Sequence, residues 1–214
     1  MTPGEIIPFD PLAKRHLAES VAQAMLALPV VAMAELTDFE GAGVYAIYYS
    51  GAFAAYEALV ALNQRGDFRA PIYVGKAVPK GARRGGDLSA TPGRVLFNRL
   101  IQHRRSIEEA TNLDIADFHC RYLVVDDIWI PLGESLLIAR FDPIWNKLID
   151  GFGNHDPGKG RHAGLRPRWD VLHPGRPWAE KCRPRQESAE QIAREVQEYL
   201  RNNPPPGGSS VVTP

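Results

Sequence analysis

The sequence predicts a mixed α/β (α+β) fold in which a small sheet of three strands is flanked by helices. Three short segments, residues 44–49, 71–75 and 118–125, are rich in β-branched and aromatic residues, which is typical of strands. Longer segments with apolar residues at helical spacing lie between and around them. The 214 residues are enough for one large domain, or for a core with additions.

Helical patterns occur in five parts of the chain. The first is amphipathic, with Leu17, Val21 and Ala24 on one side. The fourth ends before Pro143, because a proline disfavours helical backbone in the residue that precedes it. The predicted helices cover residues 12–28, 52–63, 94–109, 132–141 and 187–201.

Residues 150–181 contain many glycines and prolines, which break regular structure. This segment is too long for a simple connection in a compact domain, and such loops are usually functional. Another glycine-rich, basic loop is predicted at residues 76–92. We therefore divide the chain into an N-terminal helical extension (1–40), a core (41–149) with an insertion (50–70), an extension with the last helix (150–203) and a disordered tail (204–214).

The formal net charge is zero, which argues mildly against a nucleic-acid partner, but the charges are unevenly distributed. Acidic residues concentrate in the N-terminal region and at residues 108–142, and basic residues dominate two other stretches. This segregation favours a surface that faces phosphates, and the alternative is a solvated face of ion pairs. The basic residues are Lys76, Lys80, Arg83, Arg84, Arg94, Arg99, Arg104 and Arg105 in the first stretch, and Lys147, Lys159, Arg161, Arg166, Arg168, Arg176, Lys181, Arg183 and Arg185 in the second.

The composition argues against several classes of protein. No stretch is apolar over the length that a membrane span needs. Pro3, Glu5 and Asp10 near the start do not fit a signal peptide. Cys120 and Cys182 lie far apart and outside any Cys-x-x-Cys spacing, so we expect two reduced structural thiols, as in a cytoplasmic protein, and no zinc site.

Two tyrosines lie in neighbouring candidate strands. Tyr45 ends the string GVY, and Tyr73 begins the string YVG. If these strands pair, both side chains can converge on one face of the sheet. A phenol with a reference pKa of about 10 acts as a base at neutral pH only near a cation, for which Lys76 and His103 are candidates. The simpler interpretation of each string alone is a strand tyrosine packed against the sheet.

Arg99 and His103 lie four residues apart in a helical pattern and therefore share one helix face. Leu96, Leu100 and Ile107 form an apolar stripe beside them. At the edge of such a stripe, an arginine can hold a phosphate oxygen and a histidine can transfer a proton. The alternative is a solvated basic helix.

Glu134 is the only acid in residues 131–140, and Leu137 and Ile138 lie three and four positions further on. Its carboxylate therefore emerges on the apolar side, where it must cap a helix, form an ion pair or bind a metal ion. A single carboxylate is adequate for Mg²⁺, which keeps most of its water ligands. Stabilisation of the helix N-terminus is the alternative.

The order of these residues resembles that of the GIY-YIG nuclease superfamily, with valine in place of isoleucine in both strings. A glycine–tyrosine strand, a tyrosine–glycine strand, an arginine helix, a glutamate helix and then Asn146 follow one another over residues 41–146. The two strings are usually close together in the superfamily, but here residues 50–70 lie between them. This insertion, Lys76 and His103 are similar to the type II restriction enzymes within the superfamily.

Two further strings extend the resemblance to nearly the whole chain. DGFGNH at residues 150–155 and WDVLHPGR at residues 169–176 resemble the branch that cuts the palindrome CCGCGG. The resemblance implies a small three-stranded antiparallel GIY-YIG sheet flanked by helices, with N-terminal and C-terminal additions. It also implies a restriction endonuclease that hydrolyses double-stranded DNA at a specific palindrome with one Mg²⁺ per site, for which Mn²⁺ can substitute.

The same resemblance implies a homodimer in the bacterial cytoplasm, since one module has one site and a palindrome has two strands to cut. A cognate methyltransferase would act on the same DNA site without forming a stable complex with the nuclease.

The residues and the resemblance together assign a role to each candidate. Tyr45 would activate water or act directly as the base, and Tyr73 and His103 would position that water or relay its proton. Arg99 would stabilise charge on the pentavalent phosphorus. Glu134 would hold the metal ion, which neutralises the leaving oxygen. The two remaining candidates are Lys76, which would bind phosphate or lower the pKa of the phenol, and Asn146, which would hold the site in place.

Sequence readout is expected mainly from arginines, which can bind guanine in the major groove. We expect residues 150–176 to supply much of this readout and not the catalysis; the alternative is a segment that only covers the core or builds the dimer. The candidate DNA-binding residues are Arg83, Arg84, Arg104, Asn154, Arg161, Arg166 and Arg168.

Two other classes of protein remain open from the sequence. One is a nuclease without site specificity, acting in repair or in the transfer of mobile elements. The other is a non-catalytic DNA-binding protein with the same fold, although the presence of every candidate catalytic residue argues against it.

Overall fold

The computed structural model describes residue 10 and residues 12–79, 92–156 and 163–205. In these residues seven α-helices surround a four-stranded sheet. In chain order the elements are α1 (Lys14–Leu26), β1 (Val31–Ala32), β2 (Gly43–Tyr49), α2 (Glu57–Asn63), β3 (Pro71–Ala77), α3 (Val95–Glu109), β4 (Phe118–Val124), α4 (Ile130–Phe141), α5 (Ile144–Lys147), α6 (Arg168–Leu172) and α7 (Ala189–Asn202). Among the helices described, none is long and apolar enough to cross a membrane.

The sheet is antiparallel, with the strand order β1-β4-β2-β3. The mixed α/β prediction and the three predicted strands are confirmed. The predicted sheet is one strand too small for the described part of the chain, because β1 pairs with the edge of β4 and places Val31 opposite Cys120. A strand of two residues carries no alternating pattern from which it could be predicted.

The five predicted helices are present as α1, α2, α3, α4 and α7. The second begins later than predicted, because Ala54–Tyr56 form a single 3-10 turn before α2. The sequence does not predict α5 and α6, since helices of four and five residues are too short to show a period. As α6 lies within residues 150–181, that segment is not irregular throughout.

The central strand β2 is buried on both faces. Its odd-numbered residues from Tyr45 onwards belong to a first core cluster, together with residues of α2, α3 and α7. Its even-numbered residues from Val44 onwards belong to a second core cluster, which α1 and α4 cover. The alternation of side chains along a strand separates the two sets. Gly133 lets α4 approach α1 closely, since a Cβ there would lie 2.5 Å from Val21.

The C-terminal extension packs into the first core cluster. The last helix, α7, buries Ile192, Val196 and Leu200 there. Ser188 and Gln191 form a capping box that satisfies backbone groups at the start of this helix. The extension therefore shares its core with the strand that carries Tyr45, which brings the segment after α5 next to the tyrosine strings.

Candidate active site

The two tyrosine strings meet because β2 and β3 pair side by side. Tyr45 lies opposite Gly75 and its ring covers that residue, so that a Cβ there would lie 2.3 Å from the phenol oxygen. Gly43 of the first string also has no room for a side chain, since a Cβ there would lie 1.9 Å from the carbonyl oxygen of Leu123 in β4. The ring centroids of Tyr45 and Tyr73 are 6.2 Å apart, and the two side chains converge on one face of the sheet.

His103 of α3 completes this group. Its Nε2 lies 2.6 Å from the hydroxyl oxygen of Tyr45, and both side chains are buried. The centroids of the His103 and Tyr73 rings are 5.2 Å apart. Arg99 lies one helical turn earlier on the same face of α3, so the helix directs both side chains towards the tyrosines.

The burial of the pair sets its protonation. Burial raises the pKa of Tyr45 well above 10.0, and Tyr73 adds to the rise, while Arg99 opposes it. Burial lowers the pKa of His103 well below 6.5, and the charge of Arg99 lowers it further. At neutral pH the phenol therefore keeps its proton and the imidazole is uncharged. His103 thus cannot serve as the cation expected beside the phenol; Arg99 is the cation, and burial outweighs it.

The Arg99 guanidinium is held by the segment after α5. Its Nη2 donates to the carbonyl oxygen of Gly153 at 3.0 Å, and its Nη1 donates to Nε2 of His155 at 2.7 Å. Because arginine only donates, His155 must accept through an unprotonated Nε2. Burial lowers the pKa of His155, and the charge of Arg99 lowers it further, so that this ring is neutral at neutral pH.

Glu134 extends from α4 towards β3. Its Oε2 forms an ion pair with Nζ of Lys76 at 2.6 Å, and its side chain is only 19% exposed. The Lys76 ammonium shows that this position accepts a positive charge, and a carboxylate oxygen is the kind of ligand that Mg²⁺ prefers. Within the described residues, no three His, Cys, Asp or Glu side chains are grouped to hold a metal ion. A single carboxylate is chemically adequate for Mg²⁺, whose remaining ligands would be water.

Asn146 connects α5 to β3. Its Oδ1 accepts from the amide of Val74 at 2.8 Å, and its Nδ2 donates to the carbonyl oxygen of Val74 at 2.8 Å. Since β3 lies at the edge of the sheet, its outward backbone groups need such partners. These bonds fix the backbone next to Tyr73, which suits the holding role expected for Asn146.

A second buried tyrosine–histidine pair lies in the first core cluster. The Tyr56 hydroxyl lies 2.6 Å from Nε2 of His173 and accepts from the Trp145 indole at 2.8 Å. Nδ1 of His173 donates to Oδ1 of Asn112 at 3.0 Å. Burial lowers the pKa of His173 to about 3. This network is enclosed by aromatic rings and links core elements. A buried tyrosine–histidine contact alone is therefore not diagnostic of catalysis, and the Tyr45 pair differs by the charged side chains around it.

The candidate DNA-binding arginines that the structure describes bind other parts of the protein. Arg104 forms an ion pair within α3, Arg166 donates to two backbone carbonyl oxygens, and Arg168 forms ion pairs with two glutamates. These contacts favour structural roles for Arg166 and Arg168 over the reading of bases. Asn154 is exposed, although its backbone carbonyl is bound by Arg176. Three further candidates, Arg83, Arg84 and Arg161, lie outside the described residues.

Sequence reasoning misses four residues that form part of this site. The Phe152 ring stacks on His103 with centroids 4.5 Å apart, and the two acceptors of Arg99 lie in the same loop. The string DGFGNH marks this loop only through a resemblance. No local pattern in the sequence predicts that Gly153 of this loop contacts Arg99, which lies 54 positions earlier. The missed residues are Phe152, Gly153, His155 and Arg176, the last of which donates to three backbone carbonyl oxygens of this loop.

A comparison with known protein families matches residues 37–200 to the Eco29kI GIY-YIG domain. A search of curated proteins gave no match. The family match covers more than half of the chain and includes both tyrosine strings, α3, α4 and the loop that holds Arg99. The chain therefore belongs to the Eco29kI family of GIY-YIG restriction endonucleases.

Proposed function

We propose that this restriction endonuclease hydrolyses double-stranded DNA at a specific palindrome, with one Mg²⁺ at each active site. The observation that supports the proposal is that the chemical groups needed for such a reaction lie close together. The strands β2 and β3 and the helices α3 and α4 carry a tyrosine–histidine pair, a guanidinium and a carboxylate. Arg99 and Glu134 both lie near enough to Tyr45 and Tyr73 to shift the pKa of each phenol. Membership of the family supplies the class of reaction.

The Tyr45–His103 pair is best suited to a proton relay. A phenolate at Tyr45 is disfavoured, because burial raises its pKa well above 10.0. If Tyr45 takes a proton from water while giving its own to Nε2 of His103, no isolated phenolate has to form. The 2.6 Å separation allows this transfer, which requires Nε2 to be the unprotonated ring nitrogen. The same burial that disfavours a phenolate also disfavours the imidazolium, so the relay has to pass the proton on and not store it on His103. Tyr73 would position the water.

The charged groups would bind the phosphate and the metal ion. Of the five N–H donors of Arg99, two bind the loop and one binds Gln102 at 3.3 Å. The others are directed towards Tyr45 and Tyr73 and would stabilise the charge that grows on the phosphate oxygens. Glu134 would hold Mg²⁺, which supplies neutralisation of the leaving oxygen when bound. Lys76 pairs with Glu134 in the free protein and would bind phosphate once a cation takes its place beside that carboxylate.

We expect the acid side of the kcat/KM profile to report His103. Burial lowers its pKa well below 6.5, so the ring remains a proton acceptor below that pH. As the pH falls through the lowered pKa, the ring gains a proton, the acceptor is lost and kcat/KM decreases. The measurement is kcat/KM at saturating Mg²⁺ from roughly pH 8 to below about pH 5, which extends past the acid end of the ordinary histidine range.

His103→Gln is the control for this profile, because its amide does not titrate. It should remove the inflection together with most of the activity. An inflection above pH 6.5 that disappears in His103→Gln would contradict a neutral histidine in the relay.

The DNA site and the assembly are also proposals. The strings DGFGNH and WDVLHPGR support CCGCGG as the recognition site. We expect base contacts from Asn154 and from the candidates outside the described residues, because Arg166 and Arg168 are engaged within the protein. Mn²⁺ should replace Mg²⁺. The protein would act in the bacterial cytoplasm, with a methyltransferase that modifies the same site without a stable complex.

The direct test is incubation of the protein with plasmid DNA and Mg²⁺, followed by sequencing of the ends. Ends at one fixed palindrome, absent when the metal ion is chelated, would support the proposal. Scattered ends would indicate a nuclease without site specificity. Binding without cleavage at any metal concentration would indicate a non-catalytic DNA-binding protein.

We expect a homodimer on a duplex that contains the site, because a two-fold protein matches the two-fold symmetry of a palindrome. Its affinity should fall steeply with salt, since several lysines and arginines of each protomer would neutralise phosphates. Sedimentation of the complex and binding titrations at several salt concentrations measure both properties, with a scrambled duplex as the control. A monomer on the specific duplex would contradict the two-fold arrangement.

A further inference from the structure

We propose that the buried ion pair of Arg176 and Asp170 is a positioning device for the active site. It holds the backbone of residues 151–155, here called the 151–155 loop, and this loop orients the guanidinium of Arg99. The role rests on the proposed function, in which Arg99 stabilises charge on the scissile phosphate.

The 151–155 loop contacts both functional side chains of α3. Its Phe152 ring stacks on His103, with centroids 4.5 Å apart and planes 17° apart. Nε2 of His155 accepts from Nη1 of Arg99 at 2.7 Å, and the carbonyl oxygen of Gly153 accepts from Nη2 at 3.0 Å. A shift of the loop would therefore change the direction in which Arg99 presents its remaining donors.

Arg176 binds the same loop through three of its backbone carbonyl oxygens. Their distances from the guanidinium nitrogens are 2.9, 3.2 and 3.2 Å, for Gly151, Phe152 and Asn154 respectively. The carbonyl oxygen of Gly153, which lies among them in sequence, accepts from Arg99. Arg99 and Arg176 thus bind the same short loop. Because Arg176 fixes the backbone of the loop, it also fixes the acceptors that position Arg99.

Arg176 is itself fixed on several sides. Its side chain is 1% exposed, and its Nε and Nη2 lie 2.6 and 2.5 Å from the two carboxylate oxygens of Asp170 in α6. The guanidinium also lies over the rings of Trp169 and Trp178, at 4.5 and 4.8 Å from their centroids. A planar group with five N–H donors can make these contacts together, which a lysine ammonium with three donors cannot.

Stability alone is a weak explanation for this pair. Taking two charges out of water costs energy, and well-packed apolar residues often stabilise a core as well as a buried ion pair does. Apolar side chains cannot, however, bind three carbonyl oxygens of a loop. The contacts that are specific to Arg176 are those with the loop that orients Arg99.

The test is Arg176→Lys in the full chain, assayed by single-turnover cleavage of a duplex with the site. Lysine keeps the charge beside Asp170 but releases carbonyl oxygens of the loop. We expect the cleavage rate constant to fall about ten- to a hundredfold, the scale that a displacement of about 1 Å produces. Affinity for the duplex should stay within about threefold, because the phosphate-facing charges are all retained.

Arg121→Lys is the matched control. Arg121 also donates to two backbone carbonyl oxygens, those of Leu28 at 3.1 Å and Phe68 at 2.8 Å, and its guanidinium lies over the ring of Tyr48. Tyr48 belongs to the second core cluster, away from the 151–155 loop. This variant should alter thermal stability and leave the cleavage rate constant unchanged.

A double-mutant cycle with Arg99→Ala separates positioning from stability. If Arg176 acts through Arg99, adding Arg176→Lys to Arg99→Ala should lower the rate constant by less than about a further twofold. The same fold-loss in both backgrounds, or no loss when Arg99 is intact, overturns the proposal. If Arg176→Lys does not fold, Asp170→Asn takes its place, since it keeps the guanidinium and weakens only one of its anchors.

A second measurement does not depend on DNA cleavage. Burial lowers the pKa of His155, and the contact with Arg99 lowers it further. Titration of His155 by NMR should therefore show a higher pKa in Arg176→Lys, because the substitution keeps the charge at that position but loosens the contact with Arg99. A raised pKa in a protein that never cuts DNA would reject the proposed function and retain the positioning role; an unchanged pKa overturns the positioning role.

Discussion

Glu134→Gln is expected to abolish Mg²⁺-dependent cleavage and to leave specific DNA binding largely intact. The amide keeps the shape of the side chain on α4 but loses the charge that pairs with Lys76 at 2.6 Å. Mg²⁺ would then lose its protein ligand, and the leaving oxygen would lose the cation that neutralises it. Single-turnover cleavage and binding of the same duplex measure the two effects separately.

DNA binding should be equal to or tighter than that of the unmodified protein. Removal of the carboxylate removes a negative charge that would face the phosphates, and it also frees the ammonium of Lys76 from its ion pair. A loss of cleavage that came from misfolding would instead reduce both cleavage and binding.

Asp142→Asn is a matched control at the end of the same helix. Asp142 forms an ion pair with Lys147 at 3.1 Å, and asparagine tolerates its left-handed backbone with φ of 45°. This variant loses the carboxylate of the residue that follows α4 and should still cut at a near wild-type rate. If Glu134→Gln also cuts at a near wild-type rate with Mg²⁺, the metal assignment is wrong.

The parts of the fold that could be predicted depend on local patterns. The β-branched and aromatic runs predict the strands that carry Tyr45 and Tyr73, and the spacing of Leu96, Leu100 and Ile107 predicts which face of α3 is buried. The order in which the tyrosine strands, the arginine helix and the glutamate helix follow one another adds Glu134 to these residues. All of this information lies within a strand or a few helical turns.

The rest of the site depends on contacts between distant residues, which no period in the sequence records. Arg99 meets its acceptors 54 and 56 positions further along the chain. Arg176 and Asp170 lie six positions apart on either side of an irregular turn, so their pairing follows no helical or strand spacing. Charge alone also could not distinguish a base-reading arginine from Arg168, whose ion pairs lie within the protein.

Tyr45→Phe is expected to lower the cleavage rate constant at least about a hundredfold, the scale associated with loss of a general base or proton relay. The ring that covers Gly75 is retained, so the strands should pair as before. The lost hydroxyl leaves Nε2 of His103 buried without this partner, which should cost about 1–3 kcal/mol of stability. Single-turnover cleavage across neutral pH and thermal unfolding give the two quantities.

Tyr56→Phe shows whether that loss comes from chemistry or from destabilisation. It removes a contact of the same length with a buried histidine, and it also removes the acceptor of the Trp145 indole. It should therefore destabilise the protein at least as much as Tyr45→Phe, yet leave the cleavage rate constant close to wild type wherever it is folded. Equal rate losses in the two variants would attribute the effect to stability. An unchanged rate in Tyr45→Phe across neutral pH would make Tyr45 a packed strand tyrosine, because the relay has no other hydroxyl at hydrogen-bonding distance from His103 in the described residues.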